Sequence, residues 1–308
     1  MSGRWAVALF LMALVGCSSD GTESGRTSEP TSVAPAAGDE TSASPSADEE
    51  EEQVARATAR FDAIAVVGHS GATGVASDPD SPIESVNANS WATGDNPEVD
   101  SIYLRLLEDH PAIEGHNYNL SANGADIDQM LDQAAALSTV EGPLPDLVLV
   151  QGVDNDMRCD GTDPANARRF ARKFEQLVRT IRRGNDSVAI FVVDQWGTPD
   201  AWARAVSDVD GLVLGNTGSG PCDLFDGKGR VRAEGVEGIR RISRLYYDAM
   251  TETCRRTPRC WTDRGAAGTM PVTPDLLGAD YNHLSVAGHA VLAETIWEAL
   301  PRQVTQPS

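Results

Sequence analysis

Apolar residues in this chain fall into short uniform runs separated by longer amphipathic stretches. Phe61 to Val67 is a run of strand length that ends abruptly in "GHSGATG". Leu147 to Val150 and Val188 to Val193 are runs of the same kind, each giving way at once to polar residues. Between them, "PEVDSIYLRLLEDHPAI", the second half of "NYNLSANGADIDQMLDQAAAL" and "DPANARRFARKFEQLVRTIRR" repeat apolar positions every three or four residues. That period predicts helices with one buried face. The first part of "NYNLSANGAD" reads as a short strand and a loop around Gly124, and "GLVLGN", residues 211–216, reads as a final strand. Residues 235–250 and 285–299 read as helices. Short, wholly apolar strands need cover on both faces, so the alternation predicts an α/β fold with a mostly parallel sheet between helices. Ser70, Gly124 and Asn155 all follow predicted strands, where loops of an open α/β sheet commonly line a ligand site.

The amino end has a different pattern. Arg4 precedes the apolar run "WAVALFLMALVG", residues 5–16, which falls short of the roughly 20 residues of a spanning helix. It reads as a signal peptide over residues 1–16. "LVGC", Leu14 to Cys17, resembles a bacterial lipobox. That resemblance implies cleavage before Cys17 and a diacylglycerol on its thiol. It also implies an exported protein, lipid-anchored at the extracytoplasmic face of a bacterial membrane; an ordinary secretory signal with a chance cysteine is the other reading. Residues 17–56 form the expected tether: Ser18 to Glu52 hold ten acidic residues, one arginine and no aromatic side chain. Such a segment buries too little surface to offset the cost of ordering the chain, which predicts a disordered spacer. One folded domain over residues 57–302 and a tail at 303–308 complete the organisation, with no internal repeat.

The formal net charge is −21, and the folded part stays strongly acidic without the tether. No basic aromatic stripe is present, so nucleic acid is excluded as a partner. Nothing in the pattern demands an oligomer, and a monomer is expected. Four cysteines follow Cys17, namely Cys159, Cys222, Cys254 and Cys260. In an exported chain they suggest two disulfides. Cys254–Cys260 is the preferred local pair and Cys159–Cys222 follows by elimination, although sequence alone does not settle the connectivity.

On its own, Ser70 is an ordinary turn or helix-cap residue at a strand end. "GADYNHLSVAGH" near the carboxyl end changes its meaning. Asp280 and His283 lie three residues apart, a spacing that lets the carboxylate orient one ring nitrogen while the other faces a nucleophile. The bland alternative is that Asp280 or Ser285 caps the last helix and that His283 and His289 satisfy local hydrogen bonds.

Taken together, the blocks resemble the SGNH/GDSL serine hydrolases. "GHSGATG" is similar to the family's first block, "ANG" (122–124) to its glycine block, "GVDND" (152–156) to its asparagine block and "DYNHLSVAGH" (280–289) to its acid–histidine block. The resemblance spans roughly residues 61–300 and implies a three-layer α/β/α fold. It implies Ser70 as nucleophile, His283 as general base and then acid, and Asp280 as its orienting partner. The Ser70 and Gly124 N–H groups and the Asn155 amide would form the oxyanion hole. It implies hydrolysis of a carboxylic ester, of a lipid or an acetylated saccharide, with no cofactor. Two positions depart from the pattern. His69 stands where the family usually has aspartate, and two residues rather than one separate Gly152 from Asn155, so Asp154 competes for the asparagine's place. A noncatalytic carbohydrate- or envelope-binding lipoprotein on the same scaffold is the alternative function.

Other candidates are weaker. Asp154, Asp156 and Asp160 share a loop, but their spacing does not make an EF-hand, and no metal is expected. "HSGATG" lacks the Gly-Lys-[Ser/Thr] of a phosphate loop. Trp91, Trp196 and Trp261 are most economically core or loop residues. Trp196, just past a predicted strand, is the substrate-side candidate.

Overall fold

Among the described residues, five short strands lie side by side in the order β2-β1-β3-β4-β5, all parallel. They are β1 (Ile64–Gly68), β2 (Asn117–Asn119), β3 (Leu147–Gln151), β4 (Ala189–Val193) and β5 (Cys260–Thr262). Among the described residues, seven α-helices accompany them: α1 (Ile102–Asp109), α2 (Ile127–Ala136), α3 (Asp163–Arg182), α4 (Pro199–Ala205), α5 (Asp210–Gly215), α6 (Ala233–Arg255) and α7 (Val286–Ala299). This computed structural model describes residues 61–301 and 304. The expected signal peptide, Cys17, the acidic tether and nearly all of the tail lie outside the described residues.

Alternate side chains of each strand go to opposite faces, which explains why the strands are apolar throughout. Ile64, Val66, Leu147, Leu149, Phe191 and Val193 pack with Ile102 and Leu106 of α1 and Leu292 and Ile296 of α7. On the other face Ala65, Val67, Val148, Val150, Ile190 and Val192 meet Met130 of α2, Phe170 and Phe174 of α3 and Tyr246 of α6. Full burial of each large apolar side chain contributes about 1.5–3 kcal/mol. Helix ends follow local chemistry. The Ser101 hydroxyl accepts from Leu104 N–H at the start of α1, and His110 before Pro111 stops it, because the residue preceding proline disfavours helix.

Two strand expectations need correcting. "GLVLGN" is not a strand; it forms α5, with Leu212 and Val213 against the core and Leu214 77% exposed. A five- or six-residue apolar tract fits either a buried strand or one side of a short helix, and periodicity alone does not separate them. The fifth strand is instead Cys260–Thr262, too brief to give a pattern. Disulfides join Cys159 to Cys222 and Cys254 to Cys260. The second ties the end of α6 to the start of β5, and the first ties the loop after β3 to the segment preceding α6. Among the described residues, no helix is long and apolar enough to cross a membrane.

Candidate active site

The strand order reverses direction at β1 and β3, and the crevice beyond the carboxyl ends of these two strands is where open α/β sheets bind ligands. Ser70 lies there, two residues past β1, at the start of a single helical turn, Ser70–Ala72. The approach is tight. A Cβ on Gly68 would lie 2.4 Å from the carbonyl oxygen of Gln151 on β3, so only glycine fits. Gln133 of α2 fixes the same residue from both sides: its Oε1 accepts from Gly68 N–H at 2.8 Å and its Nε2 donates to Gly68 O at 3.0 Å. His69 caps the turn, its Nδ1 accepting from Gly71 N–H at 3.0 Å. Trp91 closes the turn from the core side, its indole N–H directed at Gly71 O at 3.2 Å.

His283 reaches Ser70 across 213 residues of sequence, with Nε2 2.8 Å from the serine Oγ. Its Nδ1 lies 2.6 Å from Oδ2 of Asp280. The loop carrying both is held at several points. Gly278 N–H donates to His283 O at 2.7 Å, Ala279 N–H to Ala76 O at 2.9 Å, and the Trp202 indole to Tyr281 O at 2.9 Å. Ser285, not Asp280, caps α7, accepting from Gly288 N–H at 3.1 Å. Asp280 is therefore free for the histidine. Partial burial pushes its carboxyl pKa up, but hydrogen bonds from the His283 ring and from the Asn282 and His283 N–H groups outweigh this and hold it below the usual carboxylate range. His289, one turn into α7, is 1% exposed, and burial drives its ring pKa down to about 3.

The loop holding Gly124 meets the Ser70 turn, with Ala122 N–H donating to Gly68 O at 3.1 Å and the Thr73 hydroxyl to Asn123 Oδ1 at 2.8 Å. Neither Ser70 N–H nor Gly124 N–H donates to any group among the described residues. Gly124 has φ +76°, a left-handed conformation that favours glycine, and a Cβ there would meet open space. Asn155 approaches from the loop after β3. One hydrogen of its amide goes to Ala125 O at 3.0 Å, leaving the second to give. The loop is well braced: Asp163 accepts from Arg158 and Cys159 N–H at 2.8 Å each, and the Tyr246 hydroxyl lies 2.9 Å from Asp163 Oδ1. Asp156 faces inward, accepts from Ile127 N–H at 3.1 Å, and is raised to about 6, chiefly by burial.

Past β4 the chemistry changes. Asp194 accepts only from Gln195 N–H, at 2.7 Å, among the described residues. Burial, followed by the nearby charges of Asp263 and Asp154, raises it to about 7. Trp196, the expected substrate-side residue, is 7% exposed and packs with the core. Trp91 is wholly buried and Trp261 packs partly against the core. A cavity of about 140 Å³ opens at the amino ends of β3 and β4, lined by Leu144, Val148 and Val188, on the edge away from Ser70. Among the described residues, no group of three or more His, Cys, Asp or Glu side chains is arranged to hold a metal ion. Sequence reasoning missed Gln133 and Asp194. A signal for Gln133 was available, since it interrupts the apolar face of α2 formed by Ile127, Met130 and Ala134.

No protein-family model matches the chain, and no curated protein matches it. Several solved structures are similar in shape. A family 3 carbohydrate esterase of Clostridium thermocellum shows 14% identity and a TM-score of 0.46, covering 78% of this chain and 94% of that one. A family two carbohydrate esterase of the same organism, in complex with cellohexaose, shows 14% identity and a TM-score of 0.45, covering 77% of this chain and 63% of that one. A lipase from a goat rumen metagenome shows 11% identity and a TM-score of 0.42, covering 77% and 96%. With five parallel strands and helices packed on both faces among the described residues, the chain has a three-layer α/β/α fold.

Proposed function

We propose that this chain is a serine-dependent carboxylic ester hydrolase of the cell envelope. The observation that carries the reading is the continuous hydrogen-bonded chain Ser70–His283–Asp280, at 2.8 and 2.6 Å, beside unpartnered backbone N–H groups. A serine hydroxyl is a weak nucleophile near neutral pH, and a histidine at hydrogen-bond distance corrects that. Ser70 Oγ attacks the ester carbonyl while His283 Nε2 takes its proton. Asp280, kept ionised by its donors, stabilises the imidazolium. Negative charge grows on the carbonyl oxygen, and the N–H groups of Ser70 and Gly124 with the Asn155 amide receive it. The tetrahedral intermediate collapses, His283 returns the proton to the departing alkoxide, and an acyl-Ser70 remains. Water, deprotonated by His283, attacks that acyl group and releases the acid and Ser70.

An ester of a lipid or an acetylated saccharide fits this chemistry. The lipobox-like "LVGC" and the two disulfides support export, with Cys17 as the lipid-bearing residue and residues 17–56 as the spacer to a domain at 57–302. The deciding experiment compares acetyl-ester hydrolysis by the purified protein with that by S70A. Turnover above background that is lost in a folded S70A protein supports the mechanism. Equal turnover in both sinks it. Tight saccharide binding without Ser70-dependent turnover makes the protein a noncatalytic binder on a hydrolase scaffold.

A further inference from the structure

The two positions that depart from the expected blocks, His69 and the loop holding Asp154, meet in space. The His69 side chain is 2% exposed. Because its Nδ1 accepts from Gly71 N–H, the neutral ring carries its proton on Nε2. That nitrogen has no hydrogen-bond partner among the described residues and lies 3.8 Å from Oδ2 of Asp154. The separation exceeds a hydrogen bond, so the contact is one of charge with dipole. Burial lowers the ring's pKa and keeps it neutral; Asp154 pulls the other way and His283 adds to the lowering.

We propose that His69 is a positioning residue, paired with Asp154 across the crevice between β1 and β3, that keeps the Asn155 amide in register with the Ser70 backbone N–H. The proposal rests on Ser70 being the nucleophile. Capping the turn requires only an acceptor at position 69, which a carboxylate supplies equally well. What histidine adds is a donor on the far side of the ring, and that donor faces the residue immediately before Asn155. The extra residue in "GVDND" brings a carboxylate against position 69. A second carboxylate at 69 would repel it and push the loop away from the nucleophile. Asn155 is in turn tied to Ala125 O, beside Gly124, so one displacement would disturb two oxyanion donors. His69 and Asp154 thus make a matched pair, each the complement of the other.

A double-mutant cycle tests this with kcat and KM for an acetyl ester, using wild type, H69D, D154N and H69D/D154N. Residues in contact couple strongly enough to read as about 2- to 150-fold. H69D is expected to lower kcat about 30-fold with KM little changed, and D154N about threefold. The double variant exchanges donor and acceptor and should return to within about threefold of D154N. Equal losses from H69D in both backgrounds overturn the pairing, as does a loss confined to KM. If H69D does not fold, H69A completes the same cycle, and coupling below about twofold overturns the pairing. The cycle is read in parallel as the rate of labelling by an organophosphorus probe, which needs no natural substrate. Turnover that survives in S70A removes the nucleophile itself; Ser70-dependent turnover with an additive cycle removes only the pairing.

Discussion

Asp280 and Asp194 stand at the same edge of the sheet, and their surroundings push them in opposite directions. Asp280 is partly buried, which alone would raise its pKa, but the His283 ring and two backbone N–H groups aim at its oxygens and hold it ionised. Asp194 receives one backbone N–H, and burial wins, with Asp263 and Asp154 adding to the rise to about 7. Asp194 is the more deeply buried and receives the fewer donors, and the two differences act together to separate the carboxylates. At the histidine end the proposed mechanism uses that charge to stabilise an imidazolium. At the β4 end a proton is retained close to neutrality.

Removing the charge where it is needed should have the largest effect. D280N keeps the shape of the side chain but cannot hold His283 in the tautomer that accepts the serine proton, so kcat should fall by about 10⁴. Steady-state kinetics on an acetyl ester check this. N155A comes next, with an expected loss of about 10²–10³ in kcat and little change in KM, since that donor matters most when charge develops on the oxygen. A loss under about threefold would place the oxyanion elsewhere in the loop. The smallest effect belongs to D194N and is one of stability. A carboxyl raised to about 7 in the folded state binds more protons than the unfolded chain between its ordinary pKa and 7, so its contribution declines as pH rises through that window. The Tm of D194N should therefore exceed that of wild type at pH 8 and converge on it near pH 4. Asp156, raised to about 6, slopes the same way. His289, held near 3 by burial, slopes oppositely: stability falls as pH drops from the ordinary imidazole range toward 3. The difference between wild type and D194N, rather than either curve, is the readout.

The sequence revealed what depends on local pattern. Uniform apolar runs gave β1, β3 and β4, and the polar residues that end them marked the crevice. The order of the blocks then paired Ser70 with His283 and Asp280, which the structure brings within hydrogen-bond reach. What it concealed depends on tertiary context. β5 is three residues long, supported by pairing to β4 and by the Cys254–Cys260 bridge rather than by its own pattern. "GLVLGN" is equally apolar as strand or helix, and only its packing decides. Trp196 follows a strand as a substrate-facing residue would, yet its ring turns into the core. His69 and Asp154 were visible only as two separate oddities, because their contact joins loops more than eighty residues apart.

The proposed reaction stands or falls with Ser70 as a nucleophile activated by His283. Its most direct test treats the purified protein with a serine-directed organophosphorus probe and maps the adduct by peptide mass spectrometry. One adduct is expected, on the peptide containing Ser70, absent in S70A and formed far more slowly in H283A. Modification of another residue, an equal rate in H283A, or no adduct on a folded wild-type protein would contradict it.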